Sequence, residues 1–394
     1  MKKLSVKDLD LKGKHVLMRV DFNVPIKDKK VTDDIRIRAA LPTINFVLDK
    51  GSSLVLISHL GRPKGKVVED LRMDPVAKRL GELLSKKVVK LDDCVGDMVK
   101  TEVEKMKPGN IILLENVRFH KEEEANDENF AKELASLGDV FINDAFGTAH
   151  RAHSSTVGIA RFLPAAAGLL MEKEIEVLSK ILTKPESPFI TILGGAKVSD
   201  KIGVIGNLLD KCESILIGGG MAYTFLKAKG IPVGDSLVEE EKINETKNIM
   251  ERAPEKGCKI YLPLDHLVAQ EVREGVEIEI VGEDKISPDF RALDIGPETV
   301  KLFGKVINEA QTIFWNGPMG VFEMKDFAWG TEEIARILAS SKATTVVGGG
   351  DTIAALERVG LKDKMSYIST GGGASLEFME GKSLPGIEAL NEKR

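Results

Sequence analysis

At 394 residues the chain is longer than one hydrophobic core usually serves, so two domains are expected. A hydrophobic content of 43% with 30% charged residues excludes a disordered or fibrous protein, and a formal net charge of -5 argues against a general nucleic-acid binder. The opening MKKLSVKDLDLKGK has no apolar run behind its first lysines, and no uninterrupted apolar stretch is long enough to span a bilayer. Neither a signal peptide nor a membrane partner is therefore expected. Cys94, Cys212 and Cys258 lie far apart and form no CxxC pair, which suits reduced thiols in a cytoplasm. His150 and His153 are three apart, but no second pair completes a metal set.

The first half alternates short apolar runs with helical patterns. Lys14 to Val20 reads as a strand running into Asp21-Phe22-Asn23-Val24-Pro25. Thr32-Asp33-Asp34 then marks a helix start, with Ile35, Ala39 and Leu41 expected inward beside Arg36 and Arg38. Further strands at Leu54 to Ile57, Asn110 to Leu114 and Asp139 to Asn143 run into loops carrying His59 and Arg62, Arg118, and His150 and Arg151. Such alternation predicts an α/β fold with a parallel, doubly wound sheet, whose ligands bind beyond the carboxyl ends of the strands. Four arginines at corresponding strand ends would repel one another unless a multiply charged anion sat among them. A surface ion pair explains any one of them; the set is better explained by a phosphate or carboxylate ligand.

Near Pro164 the texture changes. A helical pattern from Leu169 to Leu182 is broken by Lys184-Pro185-Glu186-Ser187-Pro188, a natural connector between domains. Phe189 to Leu193 then reads as a buried strand, Gly194-Gly195 turns the chain, and a helix is expected from about Ser199. Lys197 and Lys201 lie between, one helical turn apart, where backbone N–H groups already favour an anion. The same device recurs. Ser214 to Ile217 leads to Gly218-Gly219-Gly220, Thr312 to Trp315 to Asn316-Gly317, Thr344 to Val347 to Gly348-Gly349-Gly350-Asp351, and Ser366 to Ser369 to Gly371-Gly372-Gly373. Glycine at one strand end serves many turns; repeated along a sheet it describes a nucleotide cradle.

The standard nucleotide motifs are missing. GxxxxGK[ST] fails because Leu376 stands where its first glycine should be. GxGxxG fails at Tyr223, Ile353 and Leu376, which weighs against a nicotinamide-dependent dehydrogenase of similar architecture. No nucleophile or acid–base pair stands out, as expected for phosphoryl transfer, which needs positioning and charge neutralisation more than covalent help. Asp351, after three glycines, suits either a helix cap or Mg2+.

These residues together give the chain a close resemblance to the phosphoglycerate kinase family. The match runs in order through RVDFNVP from Arg19, DDIRIRAALPT, SHLGRPKG, LLENVRFHKEE, NDAFGTAHRAHSS, LGGAKVSDKI, WNGPMGVFE, GGGDT and STGGGASLEFMEGK ending at Lys382. The resemblance implies reversible phosphoryl transfer between 1,3-bisphosphoglycerate and ADP, giving 3-phosphoglycerate and MgATP, in a cytoplasmic monomer. It implies two doubly wound (Rossmann-like) domains, 1–170 with a return of 378–394 for 3-phosphoglycerate and 171–377 for nucleotide. A connecting helix and hinge would let the cleft between them close for in-line transfer. By the same resemblance Asp21, Asn23, Arg36, His59, Arg62, Arg118 and Arg151 would bind 3-phosphoglycerate. Lys197, Arg36 and the amides of Gly371, Gly372 and Gly373 would act on the phosphoryl group in flight. Lys201, Gly218, Gly219, Asn316, Glu323, Gly350, Asp351, Thr352 and Ile353 would meet the nucleotide, with Asp351 on Mg2+. Ala292 stands where the family pattern leads one to expect glycine near the base.

Overall fold

A computed structural model describes residues 3–393. The chain up to Glu176 forms one compact unit with the segment from Ser383 onward, and Val177–Lys382 forms a second. The first is built on six parallel strands, β1 (His15–Arg19), β2 (Ser53–Ile57), β3 (Val88–Lys90), β4 (Ile111–Leu113), β5 (Val140–Asn143) and β6 (Ala165–Ala167), in the order β3-β4-β2-β1-β5-β6. Every residue of β2, β4, β5 and β6 is buried. These strands do not alternate in polarity because helices cover both faces of the sheet.

Helix α1 (Ile35–Asp49) presents Ile37, Ala40, Ile44 and Val47 to the sheet, not Ile35, Ala39 and Leu41 as the sequence suggested. The buried residues recur at i, i+3, i+7 and i+10, a single helical stripe. In that rotation Arg36 reaches Asp21 at 2.9 Å and Arg79, from the next helix, takes Asp34 at 2.6 Å, while Arg38 pairs with Asp34 along α1 itself at 2.8 Å. The stripe packs on Val16, Met18, Leu54 and Leu56, and each such side chain contributes about 1.5–3 kcal/mol of burial.

Both ends of the chain finish this sheet. Ala167 donates its N–H to Leu4 O at 2.8 Å, Leu4 donates to Asn391 O at 2.8 Å, and Asn391 donates to Ala165 O at 3.0 Å. The Asn391 side chain accepts from Ala165 N at 2.7 Å, so the open edge of β6 is covered.

Helix α2 (Leu169–Thr183) carries the chain onward, and the division between units falls inside it, after Glu176. The second unit has its own parallel sheet. Its strands are β7 (Phe189–Leu193), β8 (Ser214–Ile217), β9 (Lys259–Tyr261), β13 (Thr312–Asn316), β14 (Thr344–Gly348) and β15 (Tyr367–Ile368), in the order β9-β8-β7-β13-β14-β15. Between β9 and β13 lies an antiparallel sheet that the sequence reading did not anticipate, with β10 (Asp265–Ala269) flanked by β11 (Glu279–Gly282) and β12 (Arg291–Ile295). β15 is shorter than the expected Ser366 to Ser369. Ser366 N–H goes to the Thr345 hydroxyl at 2.9 Å instead of joining the ladder.

The helix after β7, α3, spans Ile202–Leu208 and starts later than expected. Glu239 takes both the N–H of Ser199, at 3.0 Å, and its hydroxyl, at 2.6 Å, which leaves Ser199 to Lys201 as a turn. Lys197 and Lys201 therefore both lie between β7 and α3, where the sequence put them. Helices α4 (Pro297–Glu309) and α5 (Trp329–Ser340) bury Phe303, Ile307, Ile334 and Leu338 against Ile192, Ile313, Trp315 and Val347. Helices α6 (Gly350–Arg358) and α7 (Gly373–Met379) follow β14 and β15. Among the described residues no helix is long and apolar enough to cross a membrane.

Candidate active site

In the first unit, the loops beyond β4, β2, β1 and β5 belong to four strands that are neighbours in the sheet. They carry Arg118, His59 and Arg62, Asp21 and Asn23, and His150 and Arg151, and α1 adds Arg36. The loops are fixed to one another. Arg36 donates to Asp21 Oδ2 at 2.9 Å and to Asn23 O at 3.3 Å. Asn23 Oδ1 accepts from Gly61 N at 2.8 Å, and Gly61 O accepts from Arg118 at 2.9 Å. Arg62, next along, is exposed and enters no ion pair among the described residues. Arg151 Nε lies 3.1 Å from His150 Nε2.

The positive charges act on one another. Burial, then the fields of Arg19 and Arg151, push Arg118 down to about 10. His59 is held well below its ordinary value by burial and by Arg19, Arg118 and Arg36, so it is neutral near pH 7. Its Nδ1 accepts from Arg19 Nη2 at 3.1 Å, which leaves the proton on Nε2 as a donor for a ligand. Arg118 Nε is buried with no hydrogen-bond acceptor; the nearest carboxylate, Glu124, is 3.4 Å away. A cationic group of this kind, with an unmet buried donor, is complementary to a polyanion.

Sequence reasoning passed over the residues beneath. Arg19, at the end of β1, is 0% exposed, and so is Glu123. Arg19 Nε donates to Ser155 Oγ at 2.8 Å, and Ser155 donates to Glu123 through its hydroxyl at 2.5 Å and its N–H at 2.9 Å. Burial lowers Arg19 and raises Glu123, while the attraction between them opposes both shifts. Glu123 lies in a run of three glutamates, which from sequence alone reads as a solvated face.

In the second unit, glycine loops follow β8, β7, β13, β14 and β15, five neighbouring strands. Three of these loops interlock. Gly194 donates to Asn316 O at 3.0 Å, Gly195 to Pro318 O at 2.9 Å and Gly219 to Met319 O at 2.9 Å. A Cβ on Gly194 would lie 2.0 Å from Pro318 O, and one on Gly317, at φ +100°, would lie 2.2 Å from Gly194 O. No other residue lets these backbones approach so closely.

Lys201 is buried and donates to Asn316 Oδ1, and burial pushes its ammonium down to about 8. The Asn316 Nδ2 is buried without a partner beside Gly348 and Gly349. Thr352 uses its hydroxyl to accept from Gly317 N at 2.7 Å, which pins the start of α6 to the β13 loop. Ile353 follows it on the same turn of helix. Asp351, also in that first turn, is exposed and enters no ion pair among the described residues. Lys197 is exposed and likewise unpaired. Gly372 stands at the cap of α7, with open space where a side chain would be.

A cavity of about 590 Å³ opens in this unit, with Gly195, Gly219, Glu323 and Asp351 on its wall. Gly218 does not line it; a Cβ there would meet Met319 Sδ at 2.5 Å. Tyr223, Leu237, Val238, Val272 and Met319 also form the wall, and none was selected from sequence. Ala292 is on the wall too, its N–H bonded to Ser236 Oγ at 3.0 Å. An apolar slot with polar groups at one end suits a base and its phosphates.

A family model described as phosphoglycerate kinase matches residues 6–382. The chain is 57% identical over 393 residues to the phosphoglycerate kinase of Pelotomaculum thermopropionicum, covering 100% of both chains. It is 58% identical over 391 residues to that of Dictyoglomus turgidum, covering 99% of this chain and 98% of the relative. Among solved structures, phosphoglycerate kinase from Coxiella burnetii matches with a TM-score of 0.89 at 43% identity, over 98% of each chain. That from Pyrococcus horikoshii matches at 0.86 and 34%, also over 98% of each.

Proposed function

The chain belongs to the phosphoglycerate kinase family and has its activity, reversible phosphoryl transfer between 1,3-bisphosphoglycerate and ADP to give 3-phosphoglycerate and ATP in glycolysis; on that premise we propose which residues perform it. Asp21, Asn23, Arg36, His59, Arg62, Arg118 and Arg151 hold 3-phosphoglycerate. The observation that carries this is the cluster of guanidinium groups on four adjacent strand ends, with Arg118 Nε lacking an acceptor. A substrate bearing both phosphate and carboxylate supplies the missing negative charge.

The nucleotide takes the cavity of the second unit, its base against Gly219, Leu237, Ala292 and Met319. Gly218 supports that wall from behind, by way of Met319. The phosphates run toward Lys201, Asn316 and Gly350 to Ile353, where the unmet Nδ2 of Asn316 finds an acceptor. Glu323 serves the ribose end of the same cavity. Asp351 fits Mg2+, because a free, exposed carboxylate beside phosphates is what an ion that keeps most of its waters requires. Once bound, the ion neutralises phosphate charge.

The accepting oxygen belongs to a carboxylate, already ionised, so no general base is needed. The protein's task is to align the two oxygens in line with the phosphorus and to offset the charge on the moving group. Arg36 does this from the first unit, and Lys197 with the amides of Gly371 to Gly373 from the second. Transfer requires bringing the two ligands together and excluding water. Each substrate site draws on residues of one chain only, so a monomer suffices. The three cysteines are free, in keeping with a cytoplasmic location.

A coupled assay consuming 3-phosphoglycerate and MgATP tests the activity directly. The division of sites is tested by Arg62→Ala. Losing a charged hydrogen bond of about 1.5–3 kcal/mol should weaken 3-phosphoglycerate roughly ten- to a hundredfold and leave ADP affinity unchanged. Equal losses for both ligands in calorimetry would count against the assignment.

Lys201 gives a pH prediction. In the free protein its ammonium titrates near 8, below the ordinary 10.5. Phosphate oxygens beside it favour the charged form, so nucleotide raises that value and ADP binding at pH 8.5 takes up a proton. The uptake is read from binding heats in buffers of different ionisation enthalpy. Lys201→Arg, which stays charged, should show none; equal uptake in both proteins would reject this role.

A further inference from the structure

Outside the substrate sites, one side-chain cluster has no assigned work. Asp93 and Cys94 lie in the turn after β3, and His120 follows the turn after β4, the adjacent strand. One donor atom from each, a carboxylate oxygen, the thiol sulfur and an imidazole nitrogen, lies within 4.8 Å of the other two. His120 Nε2 is 2.7 Å from Asp93 Oδ1, and the ring stacks on Phe130 with centroids 5.1 Å apart, which fixes its plane. Asp93 Oδ1 also accepts from Cys94 N at 2.7 Å. Cys94 is 1% exposed, while its two companions reach solvent, so the cluster has a buried floor and an open mouth.

We propose that Asp93, Cys94 and His120 form a binding site for a thiophilic divalent cation of the zinc class, with water as the fourth ligand. Sulfur, nitrogen and oxygen donors in one small volume make a set that zinc accepts in tetrahedral geometry. Ligand atoms in such a site sit about 3.3–3.7 Å apart, given bonds of about 2.0–2.3 Å, so the cluster must open slightly at Asp93–His120 and contract elsewhere. Mg2+ and Ca2+ prefer oxygen donors, which separates this site chemically from Asp351.

The charge around the cluster is negative, with the carboxylates of Asp93, Glu122, Glu123 and Glu133 acting on it. A dication entering here displaces the proton from the thiol, and from the imidazole where it carries one. Both protons go to solvent, and metal–sulfur and metal–nitrogen bonds replace them. The bound ion ties the turn after β3 to the turn that carries Arg118. A bare Asp93–His120 ion pair over a structural thiol would do none of this.

The test uses the full chain, chelator-treated and kept reduced, titrated with Co2+. The expected result is a thiolate-to-cobalt charge-transfer band in the near ultraviolet and the intense visible bands of a tetrahedral site. These should saturate at one ion per chain, be displaced by Zn2+ and be untouched by excess Mg2+. Cys94→Ser should abolish the charge-transfer band, and His120→Gln or Asp93→Asn should weaken Co2+ at least about tenfold. The two remaining thiols, Cys212 and Cys258, have Sγ atoms 3.8 Å apart and lie outside this site, so the Cys212→Ser/Cys258→Ser double variant must keep the band. Absence of the band overturns the proposal, as does its survival in Cys94→Ser or its loss in the double variant. Should Cys94→Ser fail to fold, an unchanged affinity in His120→Gln and Asp93→Asn overturns it equally.

Discussion

Lys197→Ala should lower the turnover number about a thousandfold and change either substrate's affinity only slightly. The ammonium is exposed and pairs with no carboxylate among the described residues, so it is free to meet charge that develops elsewhere. A unit charge about 4 Å from the moving oxygens, at an effective dielectric near 20, is worth about 4 kcal/mol. If nearly all of that arises in the transition state, the loss is about three powers of ten in rate. Because an exposed, unpaired lysine adds little to folding, the variant should unfold at the same denaturant concentration as the parent. A fall in turnover would then report chemistry and not lost structure. Lys197→Arg restores the charge but spreads it over a planar fork, and should recover only part of the rate. An unchanged turnover number in Lys197→Ala would remove this residue from the mechanism.

Glu123→Ala should destabilise the first unit by about 1–3 kcal/mol, the usual cost of leaving a buried donor unmet, because Ser155, which bridges Glu123 to Arg19, loses the acceptor of its hydroxyl and N–H. Arg19 would keep its full burial and its bond to Ser155 but lose the fully buried carboxylate whose charge acts most strongly on it. The damage should spread to substrate binding, because Arg19 holds His59 in the tautomer that presents Nε2–H. Glu123→Gln retains an acceptor for Ser155 and should cost less. Denaturant unfolding of the three proteins checks the order, and a loss below about 1 kcal/mol in Glu123→Ala would mean that Arg19 is compensated in another way.

Some of this architecture was plain from the residues, and the reasons are local. The core strands are unbroken apolar runs ending in glycine or in a charged loop, so β1, β2, β7 and β13 could be found within a residue or two. Parallel order then brought arginines that lie far apart in sequence to adjacent strand ends. The antiparallel sheet was missed because the stretch leading into β11 is rich in glutamate and glycine and reads as loop. Its strand β10 finds both its partners later in the chain.

The cavity wall was missed for a different reason. Leu237, Val238, Val272 and Met319 are apolar, and before folding an apolar side chain destined for a ligand looks like one destined for the core. Arg19 ends an apolar strand, and Glu123 sits among other glutamates, so nothing in sequence marked either as a buried charge bridged through Ser155. The inward face of α1 was misjudged because periodicity gives the spacing of a stripe but not its rotation, which the packing of Ile37, Ala40, Ile44 and Val47 on the sheet decides.

The backbone bonds that join Leu4, Asn391 and Ala165 have a consequence for how the protein is made. On the ribosome the arginine-bearing unit must wait, since residues that seal its outermost strand are translated after the whole of the second unit. The glycine-rich unit lies wholly ahead of those residues, so it clears the exit tunnel before them and can mature first. A chain cut before Ser383 and released would carry the whole carboxy-terminal lobe and an amino-terminal one with an exposed, sticky border. Because Leu4 and Asn391 are bonded backbone to backbone, a short link between them should leave this border sealed when the chain is opened elsewhere.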